Sequence, residues 1–323
     1  MAVHDLITLY NKNTMTLSFW TIKPKQPESI KTEENVSKLI AIEENIYAVI
    51  KNKIVVYNKF NKIIKKIQNQ GEIESISNFD DKKFLFSDNN CLYSCSVNGE
   101  ILTKYKDSNS VVCCKFLSNN EFLTGGIGKI GIWDINNSTC KTEILAPKEE
   151  KQKLQNHYKF QEIISMNNKT GAVSITDFGY LFFWDLNNNL LTKYIKEGKC
   201  FSIAKYTETK FITGEHNIIY FWDYTTKQQY LYFNHVQGSG PIYSLKFITA
   251  DLIISGHHCS LSNETTINIC SIKENKVITD IREKSDSDFY NIIVHKDMIA
   301  YSCSDLNKIT KISLSSYFTN YTK

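Results

Sequence analysis

Residues 129–137 (KIGIWDINN), 180–188 (YLFFWDLNN) and 218–226 (IIYFWDYTT) are one phrase written three times. Each is a short apolar run that ends in Trp-Asp and runs into a polar turn: Trp133-Asp134, Trp184-Asp185 and Trp222-Asp223. The fourth tryptophan, Trp20, ends a similar run (TLSFW) and is followed by Thr21. Weaker copies put Tyr57 (IVVYNKFN), Cys95 (CLYSCSVNG), Cys270 (TTINICSIKEN) and Ile312 (KITKISLS) on the tryptophan position. The eight anchors stand at 20, 57, 95, 133, 184, 222, 270 and 312, at intervals of 37, 38, 38, 51, 38, 48 and 42 residues. Such self-similarity marks a repeat architecture, in which each unit buries its apolar face against its neighbours.

A second marker stands five residues before most anchors: Asn52, Asn90, Gly128, Gly179, Asn217 and Asn307. Asn and Gly tolerate the positive φ that tight hairpin turns require. Met15 and Thr265 are the exceptions. Another apolar run lies upstream of the turns, as in KFLFSD, EFLTGG and KFITGE. Run, turn and run predict a β-hairpin. Each unit reads as four strands; one is EILTKY (100–105), SVVCCKF (110–116), EFLTGG (121–126) and KIGIWD (129–134). No long apolar stripe has helical spacing, and the single helix candidate, 149–157, is polar nearly all round.

These phrases resemble the WD-repeat family of β-propellers, and the resemblance covers nearly the whole chain. The Trp-Asp pair recurring at blade spacing carries it. The Gly-His pair that usually opens such a repeat is missing; Gly256-His257 lies between second and third strands instead. The buried network that this His forms with a blade Asp and the Trp is therefore not expected. The expected fold is all-β, one propeller domain of four-stranded antiparallel blades. Seven blades fit residues 28–314, with ring closure by residues 1–27, by 308–323 or by both. An eighth blade, built from the first hairpin (5–20) and the C-terminal SSYFTNYTK, is the alternative.

Composition narrows the partners. The net charge of +4 is close to balanced for 323 residues, so nothing pulls the chain strongly toward nucleic acid or an acidic membrane. Lys62, Lys65 and Lys66 form one of the densest basic groups, read as a solvated strand edge that discourages sheet pairing. The nine cysteines lie mostly inside strand phrases as small hydrophobes, and their number is odd. With no signal peptide or membrane-spanning run read at MAVHDLITLY, a reducing cytoplasmic or nuclear location is expected.

Three motifs suggest chemistry and fail on context. Gly126-Ile-Gly128-Lys-Ile-Gly131 has dinucleotide spacing, but a strand follows it where pyrophosphate needs a helix N-terminus. His257-His258-Cys259 has metal-ligand chemistry but no partners at a useful spacing beyond His235. No nucleophile elbow or paired carboxylates can be assembled, so no enzyme, cofactor, metal or small-molecule substrate is expected.

What remains is surface. Segments 146–157 (APKEEKQKLQNH), 235–241 (HVQGSGP) and 256–264 (GHHCSLSNE) exceed the blade minimum. All three extend one face of the ring, which nominates Lys148, Lys151, Lys153, His235, Gln237, His257 and His258 as partner contacts, since loops on a rigid scaffold carry function. The resemblance implies a non-catalytic scaffold or adaptor subunit that binds other proteins. The alternatives are RNA or ribosome contact, or phosphoinositide or peptide binding. Phosphoinositide-binding propellers carry a paired-Arg motif, whereas this chain offers Arg282 alone in the blades.

Overall fold

The computed structural model describes residues 6–11, 16–21, 28–78, 80–88, 91–106, 111–118, 120–136, 138–146, 158–195, 199–234, 240–259, 264–284, 289–295, 298–303, 308–313 and 319–321. The strands in chain order begin with β1 (Leu6–Asn11), β2 (Thr16–Thr21) and β3 (Glu28–Lys31). Blade 1 is β4 (Lys38–Ile42), β5 (Asn45–Ile50), β6 (Lys53–Tyr57) and β7 (Ile63–Gln68). Blade 2 is β8 (Ile73–Asn78), β9 (Lys83–Asp88), β10 (Cys91–Ser96) and β11 (Ile101–Lys106). Blade 3 is β12 (Cys113–Phe116), β13 (Glu121–Gly125), β14 (Lys129–Asp134) and β15 (Thr139–Leu145). Blade 4 is β16 (Phe160–Met166), β17 (Gly171–Thr176), β18 (Leu181–Asp185) and β19 (Leu190–Ile195). Blade 5 is β20 (Ser202–Lys205), β21 (Lys210–Gly214), β22 (Ile218–Asp223) and β23 (Gln228–Asn234). Blade 6 is β24 (Ile242–Phe247), β25 (Leu252–Cys259), β26 (Glu264–Ser271) and β27 (Lys276–Lys284). Blade 7 is β28 (Phe289–His295), β29 (Met298–Cys303) and β30 (Lys308–Ser313), completed by β3; β31 (Thr319–Tyr321) ends the chain.

The seven sheets are antiparallel and four-stranded, and they form a closed β-propeller. Closure is visible in the innermost strands: β4 packs on β8, β8 on β12, and so on through β16, β20, β24 and β28, which returns to β4. Closure pairs Glu28–Lys31, the outer strand of blade 7, with β30 at residues 308–313, within the expected 308–323 and without residues 1–27. The leftover hairpin of β1 and β2 pairs with β31 in a separate three-stranded sheet, so Trp20 lies outside the seven blades and no eighth four-stranded blade forms among the described residues.

The anchors occupy one structural position. Tyr57, Cys95, Trp133, Trp184, Trp222, Cys270 and Ile312 sit at the ends of the seven third strands and are buried between blades. Six of them stand at a register shift against the outer strand, where the bulged partner residue is Ile64, Leu102, Lys141, Thr192, Tyr230 or Ile278. The cause is the turn that joins the two strands. Asn61, Gly99, Ser138, Asn189, Lys227 and Asn275, four or five residues after each anchor, have φ between 49° and 80°. A short turn closed by a left-handed residue produces a one-residue bulge and raises the local twist. Blade 7 shows the converse. Its outer strand comes from the other end of the chain, no turn joins it to β30, and no such shift is seen.

The residue after each of the other six anchors caps this turn. Asp134, Asp185 and Asp223 each accept a backbone N–H through Oδ1, from Asn136 (2.8 Å), Asn188 (3.0 Å) and Thr226 (2.9 Å). Asn58, Ser96 and Ser271 do the same for Phe60, Glu100 and Glu274. A short polar side chain that bonds the backbone two to four residues on stabilises such turns. The Trp-Asp pair therefore combines an inter-blade wedge with a turn cap. Each indole is also satisfied: Trp133 Nε1 donates to Thr124 Oγ1 (3.0 Å), Trp184 to Ser174 Oγ (2.8 Å) and Trp222 to Thr213 Oγ1 (2.9 Å). These bonds stand although the opening His is missing.

The blades are stitched at their inner strands by side chains at one level of the bore. Cys113 Sγ donates to Phe160 O (3.3 Å), Ser202 Oγ to Ile242 O (2.7 Å) and Asn291 Nδ2 to Leu39 O (3.2 Å). Ser244 Oγ accepts from Ile292 N (3.2 Å), Glu162 Oε2 from Ile203 N (3.2 Å), and Ser75 Oγ meets Cys114 Sγ (3.7 Å). Six of the seven joints are thus bridged. Inner strands are sheet edges, and five of these six bonds occupy backbone groups of a neighbouring inner strand.

Candidate interaction face

Links from an outer strand to the next inner strand lie against the turns between second and third strands, which makes them one face. Gly128 N donates to Tyr158 O (2.7 Å), Cys200 N to Gly179 O (3.0 Å) and Ile242 N to Glu215 O (3.1 Å). Isolated bridges join Ile127 to Lys159 and His216 to Pro241. Gly128 (φ 73°), Gly179 (φ 79°) and Asn217 (φ 56°) supply the positive φ expected five residues before the anchor, but in blade 1 it falls on Lys51 rather than Asn52. Asn90 and Asn307 lie outside the described residues. The Gly126–Gly131 motif forms the turn and first half of β14, so it opens a strand, as read from its context.

This face carries aromatic residues across blades 3 to 6. Phe178 is 49% exposed and Ile127 37%. Beneath them Tyr180 lies 6.1 Å from Phe178 and 5.8 Å from Tyr158, which packs on Phe182 at 5.1 Å. A second group joins Phe201 to His216 (5.1 Å) and to Tyr243 (5.6 Å). Cys200 Sγ lies 3.7 Å from Glu215 Oε1. Burial first, and the neighbouring Glu215 charge second, push the Cys200 thiol up to about 12, while burial also raises the Glu215 carboxyl. Such a thiol is inert. Among the described residues no group of three or more His, Cys, Asp or Glu is placed to hold a metal ion. What this arrangement can do is offer rigid aromatic contact area.

The nominated partner contacts are placed as follows. Lys148, Lys151, Lys153, His235 and Gln237 lie outside the described residues, as does the helix candidate 149–157. Segment 256–264 is not the simple loop expected: Gly256–Cys259 extend β25 and Glu264 begins β26, a hairpin with a ladder long enough to pair His258 with Thr265. His257 is 1% exposed, with its Nδ1 3.4 Å from Asn268 Nδ2. A buried, hydrogen-bonded imidazole belongs to the blade interior, which withdraws His257 from the surface set. Phe178, Ile127, Tyr158 and Tyr180 escaped sequence reading because an aromatic beside a turn looks the same whether it packs inward or stands out. No helix among the described residues is long and apolar enough to cross a membrane. Comparison with protein-family models and with curated proteins finds no match.

Proposed function

We propose that this protein is a divergent WD-repeat propeller that acts as a non-catalytic scaffold or adaptor subunit and docks other proteins on the aromatic face of blades 3 to 6. β-Propellers commonly serve protein interaction, and fold alone does not choose the partner. The WD-repeat reading is supported by three Trp-Asp pairs in equivalent wedge-and-cap positions with equivalent indole bonds. The docking reading rests on one observation: Phe178 and Ile127 stand exposed on a face whose neighbouring aromatics are packed. Rigid aromatic anchors surrounded by polar residues are the usual energetic centre of protein interfaces. Buried free thiols at Cys91, Cys95, Cys113, Cys114 and Cys200 support a reducing cytoplasmic or nuclear setting.

The test is affinity purification from the native organism with mass spectrometry, comparing wild type with the double substitution Phe178→Asp and Ile127→Asp. The variant is expected to fold, with an unchanged circular dichroism spectrum, and to lose the proteins that wild type retains. Recovery of the same proteins at the same yield refutes the assignment of this face. Moderate salt separates the RNA reading, because phosphate contacts weaken steeply with ionic strength and a mainly apolar contact does not.

A further inference from the structure

The central bore holds a converging set of charges that the interaction face does not use. Lys246, on the inner strand of blade 6, has its Nζ 3.5 Å from Glu162 Oε1 on the inner strand of blade 4. These blades are not adjacent, since blade 5 stands between them, so the pair spans the bore. Glu162 Oε2 accepts the N–H of Ile203 from that intervening blade. Lys115, on β12, the innermost strand of blade 3, stands opposite Leu123 and is exposed, so its side chain lies along the bore. Confinement, then the charge of Lys246 and more weakly that of Lys205, lowers the Lys115 pKa, against a partial pull upward from Glu162. Lys38, on β4, the innermost strand of blade 1, stands opposite Val49 at the level where Glu162 stands opposite Ile175 in blade 4, so it too lines the bore.

Charge does not balance there. Lys246 is matched by Glu162, and Lys205 by Glu208 at 2.7 Å. Glu74 is matched by Lys159 at 3.8 Å. None of the ion pairs among the described residues reaches Lys38 or Lys115. Two cations thus lack an ion-pair partner among the described residues in a bore walled by protein, where a field of one sign is focused. The natural complement is a dianion small enough to enter. A phosphoryl group fits, with several acceptor oxygens that ammonium groups reach as point charges.

We propose that the bore is a binding site for a compact phosphate-bearing anion, held by Lys115 and Lys246 with Lys38 supplying further positive charge. Glu162 holds Lys246 in place while the site is empty. The ligand neutralises mutual repulsion among lysines of blades that do not touch, and so tightens the ring.

The probe is inorganic pyrophosphate, followed by titration calorimetry and by thermal unfolding at fixed ionic strength. Wild type is expected to bind it and to unfold at a higher temperature in its presence, since a ligand of the native state stabilises by mass action. Lys115→Met removes an uncompensated charge, so the apo variant unfolds no earlier than wild type while its affinity for pyrophosphate falls about tenfold or more. Lys65→Met, on the exposed outer strand of blade 1, keeps wild-type affinity. Equal pyrophosphate affinity in wild type and Lys115→Met overturns the proposal, as does absence of binding to wild type. Tricarballylate binding as tightly as pyrophosphate also overturns it, because a tricarboxylate comes close to the charge without the phosphoryl chemistry. Cosedimentation with vesicles bearing a phosphorylated inositol lipid separates the sources. Lys115-dependent pelleting assigns the phosphate to a lipid headgroup, and protein left in the supernatant assigns it to a soluble compound.

Discussion

Replacing Trp184 by Phe removes one hydrogen bond and part of one ring from the most enclosed of the three Trp-Asp wedges. Trp184 and Ser174 are both 0% exposed, and their bond of 2.8 Å lies inside blade 4. The indole also stacks near Phe182 (5.8 Å) and meets Phe160 edge-on (5.5 Å). Trp184→Phe leaves the Ser174 hydroxyl buried without its donor, at about 1–3 kcal/mol. The void left by the smaller ring adds about 1 kcal/mol. The expected loss is therefore about 2–4 kcal/mol. Ser174→Ala leaves the indole N–H without its acceptor and costs about 1–3 kcal/mol. The double variant has neither orphan, so its loss should fall short of the summed single losses by about 1 kcal/mol or more. Urea unfolding followed by far-ultraviolet circular dichroism reads all three, with an unchanged slope showing that the surface exposed on unfolding is the same. Additivity within about 0.3–0.5 kcal/mol would refute the coupling and with it the role given to the indole bond.

Other outcomes follow from named contacts. A Cβ on Gly131 would lie 2.7 Å from Trp133 Nε1 and 2.8 Å from Thr124 Oγ1, so Gly131→Ala should destabilise by about 1–3 kcal/mol in urea unfolding; a neutral result would show that this bond yields freely. Hydrogen bonds from Lys53 and Lys66, and then their charges, hold the Glu33 carboxyl down to about 2 from its ordinary 4.5. Its native value is the lowered one, so the stability it contributes is present above about pH 4.5 and is lost as pH falls toward 2. Glu33→Gln should accordingly flatten the urea midpoint against pH in that window, and an identical slope would dismiss the link. Burial first of all raises the thiols of Cys95, Cys200 and Cys270 to about 12 and that of Cys114 to about 11. Iodoacetamide at pH 8 should therefore label these four only as the protein unfolds, and rapid labelling of the native protein at any of them would contradict their burial.

Much of this architecture was legible because its turns are written locally. A Trp or its substitute ending a strand, a short polar residue after it and a left-handed residue four or five positions on are sequential neighbours, so their meaning survives without the rest of the chain. Asn58, Ser96 and Ser271 could have been read as caps from the same pattern that exposed Asp134. Trp20 satisfied the local pattern too, yet it lies outside the ring, because nothing near it in sequence specifies which sheet its hairpin joins.

Blade count and closure were decided at long range. Glu28–Lys31 complete a sheet whose other strands lie about 260 residues or more away in the chain, and only the geometry of seven packed wedges selects that strand as the last edge to be paired. The level at which Ser75, Cys113, Glu162, Ser202, Ser244 and Asn291 meet their neighbours depends likewise on inter-blade register. The bore is the extreme case. Lys115, Glu162 and Lys246 are ordinary charges in three separate strands, and they act on one another because a closed ring points unrelated segments at a common axis. Local propensity wrote the blade, while the requirement that every inner edge find a neighbour wrote the ring.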